Sequence, residues 1–440
     1  MTTKIQRLSR IIPYTILGIT LYTVLPYPKP SVKVIDLINV TFFWWIVQFY
    51  ILFLFWQGRK YFFNKNQKRI MVWVHFYLLW NVFSLSRGLF IAETYWDWKA
   101  LVANVMALML PIVAYSATNT TLLQAVIQKY IKYALPLFLV FFVLIASDAY
   151  GFYLVPISFL VLFFPIIKKP WRWIVLGVGL FVIIADVTAR SNVIKFGVPI
   201  VLSLLYYFRH VLSSKIFEIV RLMLIVAPIL FFTLAVYGDF NVLKMDEYIK
   251  GDYTEIRTDE KGQQIEDNLK ADSRTFLYIE VLQTAKVYDS WWIGRSPARG
   301  NISEYFGEGD MNKRGERLGN EVGILNVFTW TGLVGVFLYF MVFYKASYMA
   351  INKSNNIFSK IIGLFVAFRW LYAWVEDVNN FSLNTFFLWI MIGMCFSESF
   401  RKMTNQEFRL WVWGIFEKPK PLSRKKRYNP LTYNKAVTTQ

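Results

Sequence analysis

The chain is poor in the residues that build disulfide bonds and metal centres. Its 440 residues include one cysteine, Cys395, and two histidines, His75 and His210. A single cysteine excludes an internal disulfide. No histidine cluster and no Asp-Xaa-Asp pair occurs at metal-ligand spacing in the connections that we expect to lie outside the membrane. We therefore expect a fold without disulfide bonds and a function that needs no obligatory metal and no cofactor.

Charged residues are also scarce, at 17%, whereas hydrophobic residues reach 56%, aromatic residues 19% and the mean hydropathy +0.40. Water-soluble domains are usually about 45 to 50% apolar. Apolar segments recur along nearly the whole chain, and they approach the roughly 20 residues that a helix needs to cross a bilayer. The sequence therefore predicts an all-α polytopic membrane protein and excludes a water-soluble one.

We predict about twelve transmembrane helices. They are placed at residues 11–28, 35–57, 70–91, 100–118, 134–148, 152–167, 171–188, 192–208, 216–237, 321–344, 357–375 and 380–398. The fifth and sixth segments are short and could form a reentrant pair. No cleavable signal peptide is expected, because Lys4, Arg7 and Arg10 lead directly into a segment long enough to span.

Acidic residues are outnumbered, 28 against 48 Lys and Arg, which gives a net charge of +20. The basic residues concentrate in alternate connections, at 58–69, 168–172 and 209–215, and in a tail at 418–427. By the positive-inside rule both termini lie in the cytoplasm. Contacts between these segments and an anionic inner leaflet account for most of the charge, so we expect no nucleic-acid partner.

One connection differs from the others in length and charge. Residues 238–320 hold 16 of the 28 acidic residues, and they separate nine spans (1–237) from three more (321–398) and a basic cytoplasmic tail (399–440). Loops of this length without a function are uncommon. The positive-inside orientation places this loop outside the cytoplasm. Its first part, 245–272, is strongly polar and is expected to be irregular or to form a short helix.

The second part of the loop predicts an amphipathic helix that ends at the turn-rich stretch "DSWWIGRSPARG". Its apolar positions are Leu277, Tyr278, Val281, Leu282, Ala285 and Tyr288, and Asp272 or Ser273 is a plausible N-cap. Arg274 falls in the first turn, where the helix dipole disfavours a cation. Either a bound anion compensates it, or it pairs with Glu266, Asp267 or Asp272.

Four cations are predicted at membrane depth, where a charge is costly and usually faces a cavity or a partner. They are Arg87, Arg190, Lys195 and Arg369. Each of them could snorkel to a lipid headgroup. Their grouping towards the outer face instead suggests a cavity that holds phosphate or diphosphate.

The order of these parts resembles the superfamily of O-antigen polymerases and O-antigen ligases. An outside arginine turn is followed by "SR", then "SWWIGRSPARG", then "GNEVGILNVFTWTGLVGVFLY", and the similarity is clearest from Asp186 to Tyr339. "TGLVG" at 331–335 looks like the Thr-Gly-Leu-Xaa-Gly signature. The histidine of the ligase motif is missing here, which favours a polymerase over a ligase.

The resemblance implies a GT-C-like glycosyltransferase of the bacterial inner membrane whose active site faces the periplasm. Such an enzyme joins repeat units linked to undecaprenyl diphosphate into O-antigen or capsule-type polysaccharide, and one such unit is the donor and another the acceptor. A chain-length regulator protein is a possible partner. The implied catalytic residues are Glu321 as base with Arg190 and Arg274. The implied substrate-binding residues are Arg295, Arg299, Arg87, Lys195, Arg369, Asn320 and Trp292.

Two other functions stay open at this point. An O-antigen ligase would transfer the glycan to lipid A-core. A flippase or other transporter of lipid-linked oligosaccharides would also have many spans, although it should show internal repeats, and none is visible between the two halves. For the two tryptophans of "SWWIG", Trp291 and Trp292, anchoring at the bilayer interface competes with covering a sugar.

Overall fold

The computed structural model describes residues 2–29, 40–64, 67–185, 189–237, 241, 254–258, 264–268, 274–303, 314–376 and 379–417. The helices before the large loop are α1 Thr2–Ile11, α2 Thr15–Val24, α3 Thr41–Phe62, α4 Val72–Ile91, α5 Tyr95–Ala117, α6 Thr120–Leu144, α7 Tyr150–Tyr153, α8 Val155–Val161, α9 Trp171–Ala185, α10 Arg190–Leu204 and α11 Ser214–Tyr237. Those that follow are α12 Thr275–Val287, α13 Gly323–Asn352, α14 Ile357–Tyr372, α15 Leu383–Phe396, α16 Glu398–Lys402 and α17 Asn405–Phe416.

The described chain is a helical membrane protein. Five of its helices, α3, α5, α6, α11 and α13, are long and apolar enough to cross a bilayer, and α9 and α15 are shorter apolar helices. Helix α11 leaves most of its apolar surface uncovered, including Met223 and Val236, which are 64% and 65% exposed. Such a surface suits contact with lipid rather than water. The predicted number of twelve spans stays a prediction.

Helix α15 lies at the centre of the bundle, where every one of its residues is buried. It packs on the end of α5, and at Gly393 the two backbones come so close that a Cβ would lie 2.4 Å from the carbonyl oxygen of Ala114. Small residues permit this kind of approach between helices in membranes. Helices α13 and α14 pack beside it through an aromatic cluster that includes Tyr339 and Trp370.

Two segments differ from their predicted form. Helix α6 begins at Thr120 rather than near residue 134, because Gln124 and Gln128 donate hydrogen bonds to backbone carbonyls of α17. Residues 150–166 form short helical pieces instead of one continuous span.

Residues that the sequence assigns to a basic tail also form helices. Helix α16 and helix α17 follow α15 directly, and Phe400 and Phe408 are fully buried against the bundle. The ring of Phe408 packs with those of Phe163, Phe358 and Phe400. The strongly basic stretch at 418–427 lies outside the described residues.

The large loop contributes α12 and two small antiparallel pairs. Strand β1, Thr254–Thr258, pairs with β2, Gln264–Asn268, so an irregular or helical form is wrong for these ten residues. Strand β3, Asn301–Ile302, pairs with β4, Glu316–Arg317. The predicted buried face of α12 is present, since Leu277, Val281 and Ala285 are buried.

Candidate functional site

A cluster of charged side chains forms near the start of α12, where α14 ends and α10 begins. Glu376, which follows α14, has its carboxylate oxygens 3.6 Å from Nζ of Lys195 on α10 and 3.8 Å from a guanidinium nitrogen of Arg274. Arg274 immediately precedes the first residue of α12 and lies at its N-cap position, one residue before the predicted first turn. The proposed N-caps Asp272 and Ser273 lie outside the described residues.

Arg369 extends the cluster on the far side of Lys195. Its guanidinium donates a hydrogen bond of 2.7 Å to the side-chain oxygen of Asn384 on α15. Arg369 and Lys195 are 3% and 6% exposed, so both charges are withdrawn from water. We define Lys195, Arg274, Arg369, Glu376 and Asn384 as the cation cluster. In the described part of the chain it contains three basic side chains and one acidic side chain.

The cation cluster borders a polar cavity of about 130 Å³. Lys195, Glu376 and Asn384 line one side, and aromatic residues, among them Tyr27 and Phe152, line the other. The ammonium group of Lys195 lies 4.7 Å from the ring centroid of Phe152, a cation–π distance. A separate small cavity of about 20 Å³, also lined by Lys195 and Asn384, reaches Arg369. The arrangement can hold an anion between basic side chains while aromatic faces contact an attached group.

An apolar groove of about 290 Å³ begins next to the cation cluster. It lies between α11, α12 and the end of α14, and Thr275 and Val375, the neighbours of Arg274 and Glu376 in the chain, line it. Tyr278 of α12 closes its base by donating a hydrogen bond to the carbonyl oxygen of Trp374. Burial raises the pKa of Tyr278 above its ordinary value.

The arginines of "SWWIGRSPARG" belong to a second, separate group. Arg295 donates to the carbonyl oxygen of Gly300 at 2.6 Å and to the carboxylate of Glu316 at 2.9 Å, and both members of the ion pair are buried. The guanidinium of Arg295 also stacks 3.8 Å from the ring centroid of Tyr288, a predicted core residue that is 49% exposed. These contacts hold the turn together.

Two further arginines connect this turn to the spans. Arg87 of α4 donates to the carbonyl oxygens of Ile293 and Gly294, at 2.6 and 3.0 Å. Arg299 donates to the carbonyl oxygen of Ile91 at 3.0 Å and lies 3.8 Å from the Asp97 carboxylate. These arginines line a cavity of about 500 Å³ with Arg295 and Arg314. The structure therefore does not place Arg87 and Arg369 in one cavity.

The turn is docked into a break in α13. Gly332 has φ 67° and ψ −171° inside the helix, and this break frees backbone groups there. The amides of Leu333 and Val334 donate to the carbonyl oxygens of Trp291 and Trp292, at 2.8 and 3.2 Å. The amide of Arg295 donates to the Thr329 carbonyl oxygen at 2.7 Å. The segments "SWWIG" and "TGLVG" therefore bind each other through backbone hydrogen bonds.

The remaining predicted residues lie away from the cation cluster's contacts. Asn320 is buried, and its side-chain oxygen accepts a hydrogen bond of 2.6 Å from the Arg317 guanidinium. The Asn320 backbone amide donates to the Asn326 side chain, and the Asn320 carbonyl oxygen accepts from it. Arg190 is the first residue of α10 and is exposed. Lys195 lies five residues later and on a different face of the helix. Trp292 is 69% exposed.

Glu321 is exposed just before α13, and no hydrogen bond or ion pair joins its side chain to another described residue. Its role as a base stays a prediction, as do the roles assigned to Arg190, Asn320 and Trp292.

Sequence reasoning missed Glu376 and Asn384 as members of the site. Glu376 stands in the acidic connection "WVEDVNN", which carries no motif that marks it as part of a site. Asn384 sits two residues after Ser382, the N-cap of α15, where an amide is ordinary. The available signal was the cost of burying Lys195 and Arg369, which implies a nearby acceptor.

Compared with family models, with curated proteins and with solved structures, the chain matches none.

Proposed function

We propose that the chain is a glycan polymerase that transfers a glycan from a polyprenyl diphosphate carrier, such as undecaprenyl diphosphate, to a second lipid-linked repeat unit. The observation that carries this proposal is the cation cluster, where Lys195, Arg274 and Arg369 converge beside an apolar groove. The fold would be a twelve-span, GT-C-like arrangement in the bacterial inner membrane. The cluster would face the periplasm.

A lipid diphosphate fits the two neighbouring environments. Its diphosphate carries several negative charges, which guanidinium and ammonium groups bind through charge-assisted hydrogen bonds. Its hydrocarbon chain needs an apolar surface that begins next to the phosphates, and the groove between α11, α12 and α14 begins beside Arg274 and Glu376. A water-soluble nucleotide-sugar donor would have no use for that groove.

The cluster also suits the chemistry of glycosyl transfer. When the bond between sugar and diphosphate breaks, negative charge develops on the leaving diphosphate. Basic side chains that are already fixed in place stabilise this charge without reorganising. Glu376 holds Lys195 and Arg274 in position. Glu321, at the exposed start of α13, stays our candidate for the base that accepts the proton of the acceptor hydroxyl.

Gene deletion followed by complementation tests the proposal. We expect the deletion strain to display single repeat units on its surface instead of polymer, and parental protein to restore the polymer. Arg274→Ala should restore none, and Arg274→Lys only part, because lysine keeps the charge but loses the forked geometry. The matched control is Lys286→Ala, which removes an exposed cation from the last turn of the same helix.

Protein levels in the membrane must be equal for all variants. Polymer of normal length from Arg274→Ala would remove the cation cluster from the reaction. A deletion strain with no attached glycan at all would indicate a ligase. Accumulation of the lipid-linked unit on the cytoplasmic side would indicate a flippase.

A further inference from the structure

A further cavity, of about 670 Å³, lies towards the other end of the bundle. It is lined by the end of α3 and the start of α4. Trp80 of α4 donates to the carbonyl oxygen of Thr331, near the start of α13, whereas Trp73 packs on Phe337, further along α13. The start of α4 therefore lies away from the first turns of α13. Those first turns adjoin Glu376, because the Gly323 amide donates a hydrogen bond to the Glu376 carbonyl oxygen.

The lining of this cavity is basic. Arg59 and Lys60 come from the last turn of α3, Lys68 from the connection, and His75 from α4. None of the described lining residues is acidic. Three cationic side chains around one cavity, Arg59, Lys60 and Lys68, favour a ligand with negative charge, since they repel one another when the cavity is filled with water alone.

A buried hydroxyl provides a second, independent sign of a ligand. Tyr115 lines the cavity and is 3% exposed, yet its hydroxyl has no hydrogen-bond partner among the described residues. Two other buried tyrosines, Tyr130 and Tyr153, donate to backbone carbonyl oxygens. An unsatisfied buried hydroxyl costs free energy. An anion in the cavity would accept this hydrogen bond, and the guanidinium of Arg59, 4.5 Å from the Tyr115 ring centroid, would stand beside it.

We propose that this cavity binds the phosphate group of an anionic phospholipid from the surrounding leaflet. Trp56 lines the cavity and is 55% exposed on the outer surface of α3, with Phe53 one turn earlier 41% exposed. Exposed aromatic residues at this level are typical of the membrane interface. The cavity thus opens next to lipid headgroups, and clustered Lys and Arg at that level attract anionic ones.

Binding of defined lipids to the purified full-length protein tests the proposal, with native mass spectrometry as the readout. We expect dioleoylphosphatidylglycerol to bind at least about tenfold more tightly than dioleoylphosphatidylcholine, because only the former carries a net charge. Lys60→Gln with Lys68→Gln should remove most of this preference. The matched control is Lys215→Gln with Lys353→Gln, which removes two exposed lysines elsewhere on the chain.

Tyr115→Phe separates a ligand contact from a structural role. Removing an unpartnered hydroxyl should leave thermal unfolding of the lipid-free protein unchanged or slightly raised. Affinity for dioleoylphosphatidylglycerol should nevertheless fall by about threefold to tenfold, as for the loss of one hydrogen bond. Equal affinity for the two lipids, or unchanged binding in both cavity variants, would refute the proposal. Binding of glycerol 3-phosphate as tight as that of the lipid would assign the cavity to a soluble phosphate instead.

Discussion

Replacing Gly332 by alanine should undock the "SWWIG" turn from α13. The φ of 67° and ψ of −171° at Gly332 define a backbone region that glycine alone occupies readily. An added Cβ would lie 2.3 Å from the carbonyl oxygen of Trp292. Because that oxygen belongs to backbone, it cannot turn aside as a flexible side chain would.

The variant has two ways to respond, and it will take the one that costs less. Keeping the docked turn costs about 1 to 3 kcal/mol of backbone strain, with the atomic overlap in addition. Releasing the turn removes the hydrogen bonds from the amides of Arg295, Leu333 and Val334. Each is worth about 0.5 to 1.5 kcal/mol. We therefore expect Gly332→Ala to lower the free energy of unfolding by about 2 to 4 kcal/mol.

Unfolding in mixed micelles with increasing dodecyl sulfate measures this loss, and limited trypsin digestion reports where it occurs. A released turn should be cut faster at Arg295 and Arg299. The control is Gly177→Ala, since a Cβ at that position of α9 meets no heavy atom within 4 Å. Alanine there should be neutral or stabilise the helix by up to about 1 kcal/mol. Gly332→Ala with parental stability and parental digestion would show that the contact contributes little.

Three further predictions concern the loop, the base and the topology. Arg295→Gln should destabilise the protein by about 3 kcal/mol, because it removes the guanidinium that pairs with the buried Glu316 carboxylate. Adding Glu316→Gln should restore part of the stability, whereas loss of polymer at unchanged stability would indicate substrate binding instead. Glu321→Gln should reduce polymer yield at least about tenfold if this carboxylate is the base, and a normal yield would exclude that role. In a cysteine-free background, a cysteine at Lys261 but not at Lys425 should react with a membrane-impermeant thiol reagent in whole cells, and the reverse pattern would overturn the orientation.

Helix positions could be predicted where hydrophobicity is a local property of the chain. The segment predicted at 216–237 coincides with α11, and the one at 171–188 with α9. The first fourteen residues of α6, 120–133, escaped prediction, and the amphipathic pattern of residues 120–129 explains much of this. Their polar residues Gln124 and Gln128 donate hydrogen bonds to backbone carbonyl oxygens of α17, which lies almost three hundred residues later in the chain. No local window of the sequence contains that partner.

The candidate site shows the same limit. Burying Lys195 and Arg369 is costly, so the sequence indicated that both face a cavity or a partner, and the structure places both beside Asn384. Arg87 was grouped with them by its predicted membrane depth, and Arg295 by the resemblance. In the structure these arginines donate to backbone carbonyl oxygens within and beside the loop. An arginine that organises a turn and one that binds phosphate look alike in a sequence, since the difference lies in the acceptors that the fold supplies.

The apolar groove beside the cation cluster has exposed apolar rims. Val236 of α11 and Ile279 of α12 both line it and are 65% and 45% exposed. The proposed lipid-linked substrate would enter between these rims by diffusing in two dimensions, without passing through water. Its effective concentration is then a mole fraction in the bilayer, set by the ratio of substrate to total lipid. Adding inert phospholipid at constant substrate and protein would slow such an enzyme, although the volume of the sample had not changed.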